Sequence, residues 1–133
     1  DTKKHREFLR ERVELFHSKG IRVSIFLNPE VDMVRHAVET GTDRIELYTE
    51  GYASAYAAGR EKAIAPYLEA AIEAGRVGLG LNAGHDLNLD NLQYFAQTIP
   101  GLDEVSIGHA LISDALYLGL ENTIQLYLRA WKQ

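Results

Sequence analysis

Short apolar segments rich in β-branched residues alternate with helical segments along this chain, and this alternation is what most limits its fold. Strands are predicted at residues 21–27, 44–48, 77–81 and 104–107. Before the first strand, apolar residues recur at helical spacing up to Phe16, and Gly20 is placed to end that helix. Strands that alternate with helices form parallel sheets with right-handed crossovers. The sequence therefore predicts an α/β fold made of a leading helix and four βα units.

The helices between the strands carry recognisable start and stop signals. Asn28-Pro29-Glu30 is typical of a helix start, with Asn28 as the N-cap, and Gly41 follows that helix. An alanine-rich helix is predicted over residues 53–74, where Pro66 marks either a break or a new first turn, and Gly75 is placed to end this helix. A short helix should start at 88–91, and a last helix should cover 111–131 with an interruption near Gly119.

Length and composition fit one domain over residues 1–133 with an ordinary globular balance, 46% hydrophobic and 25% charged. The net charge of −5 argues against nucleic acid or an anionic membrane as a partner. There is no cysteine, which excludes disulfides and thiolate ligands, and no apolar run approaches the roughly 18 residues of a membrane span. We expect a cytoplasmic protein.

Because the chain starts on a helix, we also expect it to be cut from a longer βα series. Four such units form either a small open sheet or half of an eight-stranded barrel.

Polar or small residues mark the end of each predicted strand. They are Asn28 after the first strand, Glu46 within the second, Asn82 and His85 after the third, and Gly108 with His109 after the fourth. The carboxyl ends of parallel strands lie on one face of such a fold, and ligands bind there. We therefore expect these residues to converge on one site.

Each candidate has a functional and a structural interpretation. Glu46 lies between Ile45 and Leu47; in a barrel, the side chains of these neighbours would face the helices and Glu46 would face the interior. A buried carboxylate is costly without a partner, so Glu46 is either a site residue, an open edge position or paired with Arg22. His85 is either a general acid or a solvated loop residue. For His109, the backbone N–H at a helix start is a candidate phosphate donor, and the side chain alone is as well explained by a turn.

Other common sites are not indicated. The remaining histidines, His5, His17 and His36, fall on predicted helices and show no metal-ligand spacing with a carboxylate, so no metal is expected. The sequence contains neither a GxGxxG nor a GxxxxGK[ST] motif, so no nucleotide site is indicated.

Three segments together resemble the pyridoxine 5′-phosphate synthase family. They are RIELYT at 44–49, NAGH at 82–85 and SIGHA at 106–110, and the likeness runs from about Arg10 to Trp131. The resemblance implies a TIM barrel, (β/α)8, of which this chain would supply strands five to eight and the helix before them. It also implies a homo-octamer that needs no redox cofactor.

The family condenses 1-deoxy-D-xylulose 5-phosphate with 3-amino-2-oxopropyl phosphate to pyridoxine 5′-phosphate in vitamin B6 biosynthesis, and releases inorganic phosphate and water. By resemblance, His85 is the proton donor, Glu46 stabilises the transition state, and Gly108 and His109 bind a substrate phosphate. Position 86 is a substrate-contact position in the family, and here it is Asp86.

Two other functions fit the same residues. The chain is consistent with another sugar-phosphate barrel enzyme, and also with a non-catalytic phosphate-binding half-barrel that self-association keeps folded. The general bases of the family lie in its first four strands, which have no counterpart here, so the 133 residues alone are expected to be inactive.

Overall fold

The computed structural model describes residues 1–132 and shows four parallel strands alternating with helices. The strands lie side by side in chain order, β1-β2-β3-β4, and every neighbouring pair is parallel. The elements, in chain order, are α1 (Arg6–His17), β1 (Ser24–Leu27), α2 (Val31–Val38), β2 (Arg44–Tyr48), α3 (Glu50–Arg76), β3 (Gly80–Gly84), α4 (Leu92–Thr98), β4 (Leu102–Ser106), α5 (His109–Leu118) and α6 (Leu120–Lys132). The predicted α/β fold with a leading helix and four βα units is confirmed.

Alternate residues of the strands separate the two faces of the sheet. One face carries apolar side chains that pack against the helices in a single core, among them Ile45, Leu47, Leu81 and Ala83. These residues are at most 2% exposed. The other face carries larger and polar residues, including Glu46, because successive residues of a strand point to opposite sides. Glu46 therefore faces away from the helices, as the sequence predicted.

The third strand lies three residues further along the chain than predicted. Residues 77–79 form the turn that ends α3, a Schellman turn in which Gly78 has φ +78°. In that turn Gly78 N–H donates to Gly75 O (3.3 Å) and Leu79 N–H donates to Ala74 O (3.0 Å). The prediction that Gly75 ends the helix is therefore wrong, because Gly75 lies inside the last turn of α3.

Two helix predictions also need correction. The break in the alanine-rich helix lies at Gly59, whose backbone is extended, whereas Pro66 stays inside the helix. The N-cap of α2 is Glu30, and Asn28 lies before it, donating a side-chain hydrogen bond to the Glu30 carboxylate (3.4 Å). In contrast, Gly119 does separate the last two helices, with φ +80°.

Strand ends and loop capping bring the candidate residues to one end of the sheet. Tyr48 pairs in register with Gly84, and Gly84 pairs with Ser106, so the last residues of β2, β3 and β4 stand at a similar level. Within residues 1–132, no helix combines the length and hydropathy needed to cross a bilayer.

Candidate functional site

Glu46 occupies the centre of β2 on the face away from the helices, and its side chain lies over β3. A Cβ added to Gly84 would be 3.0 Å from the Glu46 Oε1 atom. Among the described residues, no cation lies within ion-pair distance of this carboxylate; Arg22, the partner considered from the sequence, pairs with Glu104 at 2.8 Å. Burial raises the pKa of Glu46 above its ordinary value, and the nearby Glu104 carboxylate raises it further. Glu46 is thus a partly desolvated carboxylate that forms no salt bridge within the described part of the chain.

Gly84 is the last residue of β3, and its lack of a side chain lets β4 and Glu46 come close. A Cβ at this position would lie 2.4 Å from Ser106 O and 3.0 Å from the Ser106 Cβ. Since a real Cβ does not come within 2.4 Å of a backbone oxygen, the local packing depends on glycine.

His85 follows directly and is held in an unusual backbone conformation. Its φ is +77°, which non-glycine residues rarely adopt and which is often found at functional sites. Its N–H donates to Ser106 O (2.9 Å), and its ring meets Tyr48 edge-on with 5.6 Å between centroids. The ring is about half exposed, 52%. The imidazole therefore lies at the carboxyl end of β3, with a defined orientation and access to solvent.

The Asp86 carboxylate lies 2.7 Å from His85 Nδ1 and is 30% exposed. Its backbone N–H donates to Thr49 Oγ1 (3.3 Å). The Thr49 hydroxyl in turn donates to Gly84 O, and Thr49 is fully buried. Thr49 was not identified from the sequence; the only available signal was a hydroxyl residue directly after a predicted strand.

Gly108 and His109 form the start of α5. Gly108 is the N-cap, and its carbonyl accepts the N–H of Ile112 (3.0 Å). The first N–H groups of a helix have no partner inside the helix and favour an anion. The His109 ring lies 6.3 Å from the His85 ring, centroid to centroid.

A cavity of about 450 Å³ connects these groups. It is lined by Phe26, Glu46, His85, Ser106, Ile107, Gly108 and His109. Four of the five predicted site residues therefore line one space, which lies on the sheet face away from the helices and reaches the carboxyl ends of β3 and β4. Asp86 does not line this cavity and reaches it only through the His85 ring.

Two other polar residues predicted at strand ends do not join this cavity. Asn28 lines a separate 650 Å³ cavity beside α3. Asn82 lies inside β3, where its side chain accepts from Arg44 (2.8 Å) and donates to Glu104 (3.3 Å). The reason is the shift in β3, which moves Asn82 from the strand end into the sheet. Within residues 1–132, no group of three or more His, Asp or Glu side chains is arranged to hold a metal ion.

Comparison with known proteins gives a consistent family. The model of the family described as "Pyridoxal phosphate biosynthesis protein PdxJ" matches residues 1–133. The chain is 57% identical over 132 residues to the pyridoxine 5′-phosphate synthase of Flavobacterium johnsoniae, covering 99% of this chain and 56% of that protein. It is 60% identical over 127 residues to the enzyme of the same name from Bacteroides thetaiotaomicron, covering 96% of this chain and 54% of that protein. The chain spans about half the length of the curated relatives it matches.

Proposed function

The chain belongs to the PdxJ family of pyridoxal phosphate biosynthesis proteins, and we propose that the whole protein is a pyridoxine 5′-phosphate synthase. In this proposal it condenses 1-deoxy-D-xylulose 5-phosphate with 3-amino-2-oxopropyl phosphate and releases inorganic phosphate and water. Since the relatives are about twice as long, this chain is one half of the family's TIM barrel. The family's general bases lie outside this half.

The observation that carries the proposal is the shared cavity. A carboxylate from β2, an imidazole from the loop after β3 and a helix start after β4 all line its 450 Å³. Ring closure between two phosphorylated substrates needs these elements: a proton carrier, a group that stabilises positive charge, and a phosphate site.

His85 supplies the proton carrier. Its Nδ1 is occupied by the Asp86 carboxylate at 2.7 Å, so Nε2 is the ring nitrogen available to a substrate. In the proposed mechanism, Nε2 delivers a proton to an oxygen that is leaving or gaining charge. The carbon–oxygen bond then breaks with release of water rather than hydroxide, which lowers the barrier.

Glu46 supplies the stabilising charge. The amine of one substrate and the ketone of the other form an iminium-like cation during condensation, and a carboxylate beside it lowers the free energy of that cation. Burial that raises the pKa of Glu46 also reduces solvent screening around it, so the ionised carboxylate acts more strongly on a neighbouring positive charge.

Gly108 and His109 supply the phosphate site. Gly108 is the N-cap and His109 the first residue of the ten-residue α5, and among the described residues no side chain caps that end. A substrate phosphate placed there would accept hydrogen bonds from the first N–H groups of α5 and interact favourably with the helix dipole. The homo-octamer and the general bases from the other half of the barrel rest on the family resemblance. A cytoplasmic location is a further part of the proposal.

The proposal is tested in the full-length protein by following pyridoxine 5′-phosphate formation from the two named substrates. We expect His85→Ala to lower kcat by roughly 10²–10⁴-fold, as removal of a general acid does. His5→Ala, an exposed histidine beside α1, is the matched control and should leave kcat unchanged. Absence of product from the unmodified folded protein would refute the proposed activity, and normal turnover in His85→Ala would remove His85 from the mechanism.

A further inference from the structure

The pair formed by His85 and Asp86 has the geometry of an oriented acid–base group. The Nδ1 to Oδ2 distance is 2.7 Å, which is a short, charge-assisted hydrogen bond. Asp86 is less exposed than His85, 30% against 52%, and only His85 lines the cavity. The carboxylate therefore lies behind the imidazole as seen from the cavity.

The backbone of this pair is fixed on both sides. The buried Thr49 hydroxyl donates to Gly84 O and accepts the Asp86 N–H, while the His85 N–H donates to Ser106 O. The Asp86 carbonyl also accepts from the Asn91 side chain (3.4 Å). Such contacts hold His85 at φ +77°, a conformation that costs free energy and persists only when its surroundings enforce it.

We propose that Asp86 is a positioning residue for His85, an inference that rests on the proposed function. The carboxylate holds the Nδ1 proton of the imidazole, so that the neutral ring is the Nδ1–H tautomer and the exchangeable proton is carried at Nε2, on the cavity side. Thr49 fixes the loop in which both residues stand. Asp86 thus acts through the histidine rather than on the substrate, which differs from the substrate-contact role that the family resemblance implied.

Charge supports this assignment over a phosphate contact. A carboxylate close to a substrate phosphate would repel it, whereas the same carboxylate behind the imidazole accepts the Nδ1 hydrogen bond and orients the ring. A phosphate contact and a positioning role predict different kinetic results when the negative charge of Asp86 is removed. Loss of a repulsive contact would lower KM, and loss of orientation would lower kcat.

The test is a double-mutant cycle in the full-length protein. Asp86→Asn should reduce kcat on the order of tenfold with little change in either KM, because the amide cannot fix the tautomer in the same way. In the His85→Ala background the same substitution should have no further effect, since its partner is gone. Asp86→Glu should restore part of the loss. Asp90→Asn, an exposed carboxylate in the same loop, is the matched control and should match the unmodified enzyme.

A second readout does not depend on activity. Nitrogen-15 NMR of the His85 ring should report the Nδ1–H tautomer in the unmodified protein and a mixture in Asp86→Asn. An equal loss of kcat in both backgrounds, a fall in KM, or an unchanged tautomer would each overturn the proposal. Absence of pyridoxine 5′-phosphate formation by the unmodified protein, with the tautomer shift still present, would refute the proposed function and leave the positioning role intact.

Discussion

Replacement of Gly84 by alanine tests whether close packing between β3, β4 and Glu46 builds the site. The added Cβ would lie 2.4 Å from Ser106 O and 3.0 Å from Glu46 Oε1. The first distance is about 1 Å short of an ordinary van der Waals separation, and its partner is backbone, so β4 must move. Inserting a group into packed structure costs about 1–3 kcal/mol in free energy of unfolding. A displacement of about 1 Å in a catalytic group lowers turnover on the order of 10²-fold.

Two measurements on the full-length protein check these values. Urea unfolding gives the free energy of unfolding, and the rate of pyridoxine 5′-phosphate formation gives kcat. Gly75→Ala is the matched control, because that glycine lies exposed in α3 with nothing within 4 Å of an added Cβ. It should be neutral or stabilise the protein by about 0.5–1 kcal/mol. If Gly84→Ala keeps the stability and kcat of the unmodified protein, the argument that the site depends on this close approach is wrong.

Two further predictions concern pH. Burial raises the pKa of Glu46 above its ordinary value of 4.5, so the native state loses stability as the pH rises from that value through the raised pKa. Glu46→Gln should therefore raise the free energy of unfolding more near neutral pH than at about pH 4. An equal change in the free energy of unfolding at both pH values would contradict this prediction. Hydrogen bonds from Arg76 and Arg35 lower the pKa of Glu73 to about 2, so its stabilisation is present above 4.5 and lost as the pH falls toward 2. Glu73→Gln should lower the Tm at neutral pH and leave it unchanged below about pH 2.

Much of the candidate site could be predicted because its signals are local. Glu46 stands between two apolar residues of a strand, and this alternation alone places it on the face away from the helices. His85 and the Gly108–His109 pair each follow a strand, so parallel topology brings them to the same end of the sheet. The structure places all four around one cavity.

The position of β3 was predicted wrongly because two glycines near the end of α3 carry the same sequence signal. Gly75 and Gly78 both fit a helix end in sequence, and only the hydrogen bonds of the Schellman turn identify Gly78. Because the helix ends at Gly78 rather than at Gly75, β3 lies three residues further along the chain, and Asn82 lies within the strand instead of after it. Thr49 was missed because its importance comes from contacts with residues 35 and 37 positions away.

The sequence by itself determined the order of elements and the face on which each strand residue lies, because both follow from periodicity within short segments. It did not determine which side chains touch across the sheet. The close approach of Ser106 to Gly84, the bond between Thr49 and the histidine loop, and the absence of a cation beside Glu46 among the described residues depend on strand register and loop conformation. These are set by packing between segments far apart in the chain, which no local pattern records.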